Sequence, residues 1–574
     1  MNCPRNRWSG DHGQIRINRI HLPDGVSLTH DSTMFHRLLT SVLVCLLLGC
    51  GKSSSERESG DFSAPPQILN LGNGAEPEGL DPHVVTGVPE HNILAALIEG
   101  LVGEDPKDLH PVPGVAERWE NSEDGLVWTF QLRQNAKWST GDAVTAQDFV
   151  LSYKRMLSPK LASQYAYMLH VVKNAKEFNS GDLKDFSKVG FEAVDDHTLK
   201  ITLQGPTPYF LSLLNHYSWF PVHIPTVKKY GPVDSPNNPW TRPGNFVGNG
   251  PFVLDKWEIN DVIVVKKSST YWDKAKVTLK EINFKPISSA EVEERAFRSG
   301  QIHVSNTIPL NKIDVYRKKN PQDLRLDPYL GVYFYRLNVT EPPLDKKEVR
   351  QALALAIDRE SLVRNVLRGA DKPTTFFTPP DTGGYTYNGG PKIEFDPDRA
   401  AQLLAEAGYP QGKGFPKLKL LYNTSEAHQR IAEAIQQMWQ NNLKIQIELT
   451  NEEWKVYLNT QQKMEYQVSR AGWIGDYNDP NTFLDMWLTG GGNNYTGFTN
   501  KKFDQLITSA GQEADLKKRF SLFEQAEEIL LDEMPIIPIY HYTSKYLANP
   551  RVKGWHPTIL NHHPYKHVSV VPGD

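Results

Sequence analysis

The sequence predicts an α/β protein built from several domains. Three observations carry that reading. Helix and strand patterns alternate from Asp345 to about Ala471, the signature of an α/β layer with parallel strands. From Gln67 to about Phe284, strands with period two and loops dominate. The chain has 574 residues, and at about 150 residues per domain that is roughly three to four domains.

The elements follow in chain order. Leu126–Arg133 and Thr198–Leu203 alternate apolar and polar residues and read as half-buried strands. Thr145 opens a helix to Met156 whose apolar face holds Phe149, Val150, Tyr153 and Met156. Glu291–Ser299 reads as a short helix. Lys346–Ala356 and Glu360–Arg368 form a helical pair capped by Asp345 and Asp358 and stopped by Gly369. Asp396-Pro397 opens a helix that ends at Gly408, and Lys417–Tyr422 is a strand. Ser425 caps a helix to about Asn441. Lys444–Leu449 is a strand, Glu452–Gln462 a helix and Tyr466–Ala471 a strand. A helix over Asp515–Leu531 precedes a buried strand, Ile536–Tyr542.

The N-terminus sets the compartment. Met34–Cys50 reads MFHRLLTSVLVCLLLGC, with Arg37 ahead of the apolar run Leu38–Leu48. Eleven residues cannot span a bilayer, which needs about 20, so the run fits the apolar region of a signal peptide. Its ending, Leu47-Leu48-Gly49-Cys50, resembles a bacterial lipobox with Cys50 as the lipidated residue. Residues 1–33 do not read as a signal, which points to Met34 as the true start and to a misassigned extension before it. Residues 51–64 are polar and Ser-rich, a tether between lipid and folded body. All three cysteines (Cys3, Cys45, Cys50) lie at or before this junction, so the mature chain has no thiol beyond the anchor and no internal disulfide. Removing the 5 Arg and 3 Asp of residues 1–49 moves the net charge from −4 to −6. No basic run interleaves with aromatics, and an acidic balance argues against a nucleic-acid partner.

Enzyme and metal signatures are missing. There is no phosphate loop, HExxH pair, GxSxG elbow or calcium loop. The His-rich tail (His556, His562, His563, His567) lacks ligand spacing on a regular element and reads as solvated surface. Asp195-Asp196 reads as a solvated turn. No cofactor and no metal are expected.

Ser469–Pro480, SRAGWIGDYNDP, concentrates functional chemistry. It holds a cation (Arg470), an indole (Trp473), a carboxylate (Asp476) and two glycines (Gly472, Gly475). It follows a strand and precedes a helix start, with Asp479 as cap and Pro480 as first residue. Ligands of open α/β sheets bind where strands end at their carboxyl edge. Asp476 and Arg470 are suited to opposite ends of a zwitterion. The competing reading is that Asp476 only builds a turn, or that the two pair with each other.

At this point the residues match a family. EGLDPHVVTGVPE (Glu78–Glu90), the block Pro111–Val150, VDDHTLKITL (Val194–Leu203), LLYNTSEAH (Leu420–His428) and RAGWIGDYNDP (Arg470–Pro480) resemble the oligopeptide-binding proteins of bacterial ABC importers, solute-binding family 5. The resemblance runs from about Leu69 to Val568. It implies a two-lobed, type II periplasmic-binding-protein-like fold with an additional domain in one lobe. One lobe comprises residues 65–98, 224–330 and 544–574, the extra domain 99–223 and the second lobe 331–543, with hinge crossings near Gly331 and Thr543.

The resemblance also implies roles. The aspartate matching Asp476 receives a peptide's α-ammonium. Backbone groups matching Val88, Gly472 and Ile474 pair with the peptide as an added strand, which gives affinity without reading side chains. Basic residues matching Arg470, Arg368 and His428 receive peptide C-termini. Tyr165, Trp473 and Tyr542 line the cavity. Gln461 and Thr86 replace an arginine and a glutamate that some relatives carry in side-chain pockets. Gly331 and Ile474 replace a cysteine pair that some relatives have. The implied function is a monomeric, lipid-anchored receptor outside the cytoplasmic membrane that captures short peptides for an ABC permease and catalyses nothing. The alternatives are another solute in the same fold (a murein peptide, nickel chelate, haem or sugar) or a secreted hydrolase.

Overall fold

The computed structural model describes residues 67–390 and 393–572. The readings made for the first 66 residues, Cys50 and the tether included, lie outside them. Three sheets organise the described chain. In the first, Ile68–Gly72 runs parallel to Glu281–Lys285, and the sheet continues antiparallel through Val262–Lys267 to Phe252–Glu258. Its period-two pattern buries Leu69, Leu71, Ile282, Phe284, Ile263 and Val265.

The second sheet is antiparallel, in the order Ala116–Asn121, Val127–Leu132, Thr198–Thr202, Phe191–Asp195. The helix Ala146–Met156 packs on it, Tyr153 meeting Phe191 at 4.6 Å and Trp219 at 5.3 Å between ring centres. Thr145 and Asp148 cap that helix reciprocally, satisfying its first free N–H groups.

The third sheet has six strands, in the order Lys372–Pro373, Ile536–Leu547, Leu324–Leu337, Val468–Ile474, Leu418–Asn423, Ile447–Glu452. It is mixed rather than parallel throughout. Leu418–Asn423 is parallel to both neighbours, but Leu324–Leu337 is antiparallel to Val468–Ile474 and to Ile536–Leu547. The sequence reading did not identify the strand Leu324–Leu337. Pro328 and Gly331 in its middle are strand-weakening residues, and the register does slip there, between Pro328↔Thr543 and Val332↔His541. Before the slip, the two long strands reach the first sheet, where Val304 bridges Leu71 and Ala548.

Other boundaries also move. Lys444 closes the preceding helix in the left-handed conformation (φ 60°), so the strand expected over Lys444–Leu449 starts at Ile447. Lys346, not Asp345, precedes the helix Lys347–Leu355, and no side chain caps it. Asp358 caps as expected, accepting from the Ser361 N–H at 2.9 Å.

Candidate functional site

The strand Val468–Ile474 positions the site. It extends three residues beyond the expected end at Ala471, so Gly472, Trp473 and Ile474 belong to the strand and not to a loop. Glycine there does not end the strand, because the partner Gly331–Leu337 pairs with it along its whole length. On its other side the strand pairs with Leu418–Asn423 only at Val468 and Ser469. The Gly475 N–H donates to the Leu330 carbonyl, which places Gly475, Trp473 and Ala471 in the hydrogen-bonded register of the partner strand. Antiparallel alternation then turns the backbone groups of Arg470, Gly472 and Ile474 the other way. The Arg470 carbonyl is taken up by Tyr457 Oη and Gln461 Nε2. Gly472 and Ile474 leave an open strand edge. It faces a cavity of about 140 Å³ whose walls include Thr86, Val88, Tyr165, Gln461, Arg470, Gly472, Trp473, Ile474 and Asp476.

Asp476 closes one end of that cavity, with 11% of its side chain exposed. Its backbone N–H donates to Thr482 Oγ1, and Thr482 Oγ1 donates back to Oδ2 at 3.3 Å. His216 Nε2 lies 3.4 Å from Oδ1 but makes no hydrogen bond, and burial pushes its pKa well below the ordinary 6.5, leaving it neutral. No Arg or Lys pairs with Asp476 among the described residues. Burial pushes the Asp476 pKa up to about 7, only partly offset by the Thr482 hydroxyl. The arrangement is a buried carboxylate that no described arginine or lysine neutralises. It does not fit the turn reading, because the carboxylate accepts from a side chain and not from a turn N–H, nor the pairing with Arg470.

Arg470 is held elsewhere. Its Nη1 donates to Asn423 at 3.1 Å, its Nη2 to Tyr542 Oη at 2.7 Å, and the guanidinium lies 4.8 Å from the Tyr333 ring centre. Tyr542 and His428 therefore stand behind Arg470 and off the cavity wall. His428 is 5.6 Å from the Tyr333 ring, and burial followed by the Arg470 charge lowers its pKa well below 6.5. Arg368 is not part of the arrangement. It is exposed, in a left-handed turn (φ 59°) before Gly369, where the helix Arg359–Asn365 has already ended.

The facing wall comes from other parts of the chain. Val88 is the first residue of the helix Val88–Leu97, 39% exposed, with Thr86 beside it on the cavity. Tyr165 lies 6.3 Å from the Trp473 ring and 4.6 Å from that of His216. Trp473 itself donates to the Thr482 carbonyl at 2.7 Å. His562, read from the sequence as solvated, is instead on the cavity wall, stacked on His91 at 4.2 Å and 3.0 Å from Glu104. His563 stacks on Trp555 at 3.8 Å. Sequence reasoning also missed His216, Tyr495 and Arg336, which line or face the same space.

Asp479 is not a simple cap. Its carboxylate accepts from the Asn481 N–H and from two Arg519 nitrogens at 2.7 and 2.8 Å, and the short helix begins at Asn481.

The family model for bacterial extracellular solute-binding proteins, family 5, matches residues 110–495. The chain belongs to this family. It is 38% identical over 525 residues to the periplasmic oligopeptide-binding protein OppA of Salmonella typhimurium, covering 90% of this chain and 95% of the relative. The structure of the Escherichia coli murein tripeptide binding protein MppA superposes with a TM-score of 0.85 at 37% identity, covering 89% of this chain and 99% of that one. The fold is thus the two-lobed type II arrangement with an additional domain. An unliganded open form of the periplasmic murein tripeptide binding protein MppA, also at 37% identity and covering 89% and 98%, superposes at only 0.60. The family 5 chain described here is accordingly far from that open form. Its facing walls touch, as in the parallel stack of Tyr209 on Tyr477 at 5.0 Å.

Proposed function

We propose that this protein is an extracytoplasmic receptor that captures short peptides between its two lobes and delivers them to an ABC permease, without catalysing a reaction. One observation carries the reading: Asp476, a buried carboxylate without a cation, stands at the end of the open strand edge Gly472–Ile474. An isolated buried charge is costly, and a peptide's α-ammonium would neutralise it while the peptide backbone extends the sheet. Val88 would contribute backbone groups from the other lobe. Arg470, with Tyr542 and His428 behind it, would receive the carboxylate of peptides long enough to reach it, and Tyr165 and Trp473 would pack on the chain between.

The lobes would comprise residues 65–98, 224–330 and 544–574 on one side and 331–543 on the other, with 99–223 as the additional domain. The register slip around Gly331 and Thr543 would serve as hinge. Cys50 would anchor a monomer to the membrane outside the cytoplasm; no helix among the described residues is long and apolar enough to cross a membrane. A murein peptide is the second reading, supported by the similarity to the murein tripeptide protein and by the same ammonium site. A nickel chelate, haem or sugar offers no ammonium for Asp476.

Native mass spectrometry of purified protein should show co-purifying peptide masses, and di- to pentapeptides should raise the melting temperature, since ligand at 100 times Kd stabilises by about 2.7 kcal/mol. Steady cleavage of those peptides in proportion to protein concentration would overturn the receptor reading.

A further inference from the structure

Six arginines are buried among the described residues: Arg155, Arg336, Arg350, Arg359, Arg470 and Arg519. Five are hydrogen-bonded. Arg155 pairs with Asp81, Arg519 with Asp479, Arg350 and Arg359 bond backbone carbonyls, and Arg470 bonds Asn423 and Tyr542. Arg336 differs. It is 4% exposed, it forms neither an ion pair nor a hydrogen bond with a described residue, and its Nε and Nη1 are buried without partners. Its guanidinium is 4.7 Å from the Tyr495 ring centre and 5.7 Å from that of Phe334. Aromatic faces attract a cation but do not satisfy its N–H groups, and a buried unpaired donor costs free energy. Arg336 also lies on the wall of the peptide cavity.

We infer that Arg336 is a specificity-determining residue that selects peptides carrying a carboxylate on their second side chain. The inference rests on the peptide reading of the site. Arg336 pairs across the sheet with Ser469, Phe334 with Ala471 and Val332 with Trp473, so Arg336 and Trp473 share one face. A peptide with its ammonium at Asp476 runs antiparallel to Val468–Ile474 along the open edge. With its first residue opposite Ile474, its second side chain turns to the face of Trp473 and Arg336, because strand side chains alternate. Arg336, opposite Ser469, stands four residues further along that face than Trp473, on the same cavity, so a carboxylate on a long side chain there extends toward a guanidinium whose donors are unused, and planar bidentate pairing is what guanidinium does best.

The test compares Ala-Glu-Ala with its neutral isostere Ala-Gln-Ala by calorimetry. Wild type should bind the Glu peptide roughly ten- to a hundred-fold more tightly, the range expected for hydrogen bonds to a charged group. Arg336→Gln should erase that preference, bringing the ratio of the Ala-Glu-Ala and Ala-Gln-Ala affinities to about one. Equal affinities in wild type overturn the assignment, a result that does not depend on the variant folding. So does an equal gain from Glu-Ala-Ala or Ala-Ala-Glu, which would mean a diffuse field and not a pocket. If no tripeptide binds at all, the receptor reading fails and the inference falls with it.

Discussion

Asp476 and Asp479 stand three residues apart on the same turn, and they differ in what neutralises them. Asp479 is clamped by Arg519 through two hydrogen bonds of 2.7 and 2.8 Å, with the Arg519 side chain also lying over Tyr209 and Phe523. Asp476 has one weak bond from Thr482 and a neutral imidazole beside it. The first is a charge completed within the fold; removing its partner damages the fold. The second is a charge left incomplete, with its acidity shifted as a result. A buried carboxylate with a raised pKa and no counter-ion, at the end of an open strand edge, is a candidate for a ligand's charge.

The two aspartates should differ most in stability. Arg519→Ala should cost about 3–5 kcal/mol, because it strands Asp479 as a buried unpaired charge. Asp476→Asn should do the opposite in the unliganded protein. With the folded pKa at about 7 against an unfolded value near 3.8, the wild type loses stability as pH rises from the lower value through the higher. The Asn variant should therefore melt higher than wild type at pH 8 and equally at pH 3. Thermal melts at the two pH values check both variants, and a strongly destabilised Asp476→Asn protein would place Asp476 among the structural charges.

The next largest effect is on ligand affinity with pH. Below about 7, unliganded Asp476 holds a proton that an incoming ammonium must displace. Of the groups facing it, the Thr482 hydroxyl and the His562 charge only partly offset burial, and His216 and Tyr165 supply no compensating charge, since burial pushes their pKa values away from neutrality. Affinity should fall roughly 100-fold by pH 5, and it should fall again above about pH 8 as the peptide amine deprotonates. Binding near pH 6.5 should release a proton, seen as a buffer-dependent heat. Flat affinity from pH 5 to 8 would mean that no such proton is displaced.

A smaller effect is expected at the open edge. A Cβ on Gly472 would come within 2.6 Å of Tyr542 Oη and 3.1 Å of Arg470 Nη2. Gly472→Ala should displace both and weaken tripeptide binding by about tenfold, in line with 1–3 kcal/mol for overpacking. Unchanged affinity would show that the peptide does not use this edge.

The same contrast shows what a sequence can and cannot display. Asp476, Trp473 and Arg470 were legible because they crowd into one short segment after a strand pattern. The helices with side-chain caps, at Thr145, Asp358, Asp396 and Ser425, were legible for local reasons as well. The strand status of Gly472–Ile474 was not, since two glycines read as a loop and only pairing with Gly331–Leu337 overrides them. Arg336, His216 and His562 gave no local signal: an arginine in a strand reads as exposed, and only tertiary packing brings these residues to one cavity. Arg368, assigned by the resemblance alone, falls outside that cavity because the chain turns outward at Gly369. Nor can a sequence tell Asp479 from Asp476, because Arg519 arrives from forty residues away.

The most direct measurement is a cycle on the ammonium contact. Tripeptide affinity is measured for wild type and Asp476→Ala, each with free and N-acetylated peptide. Deleting either partner of a buried charge pair costs about 2–5 kcal/mol, or roughly 30-fold to several thousand-fold. If Asp476 receives the ammonium, acetylation should cost almost nothing more once Asp476 is gone, because both changes remove one interaction. Penalties that simply add would show that the two groups do not touch, and would return Asp476 to the structural charges.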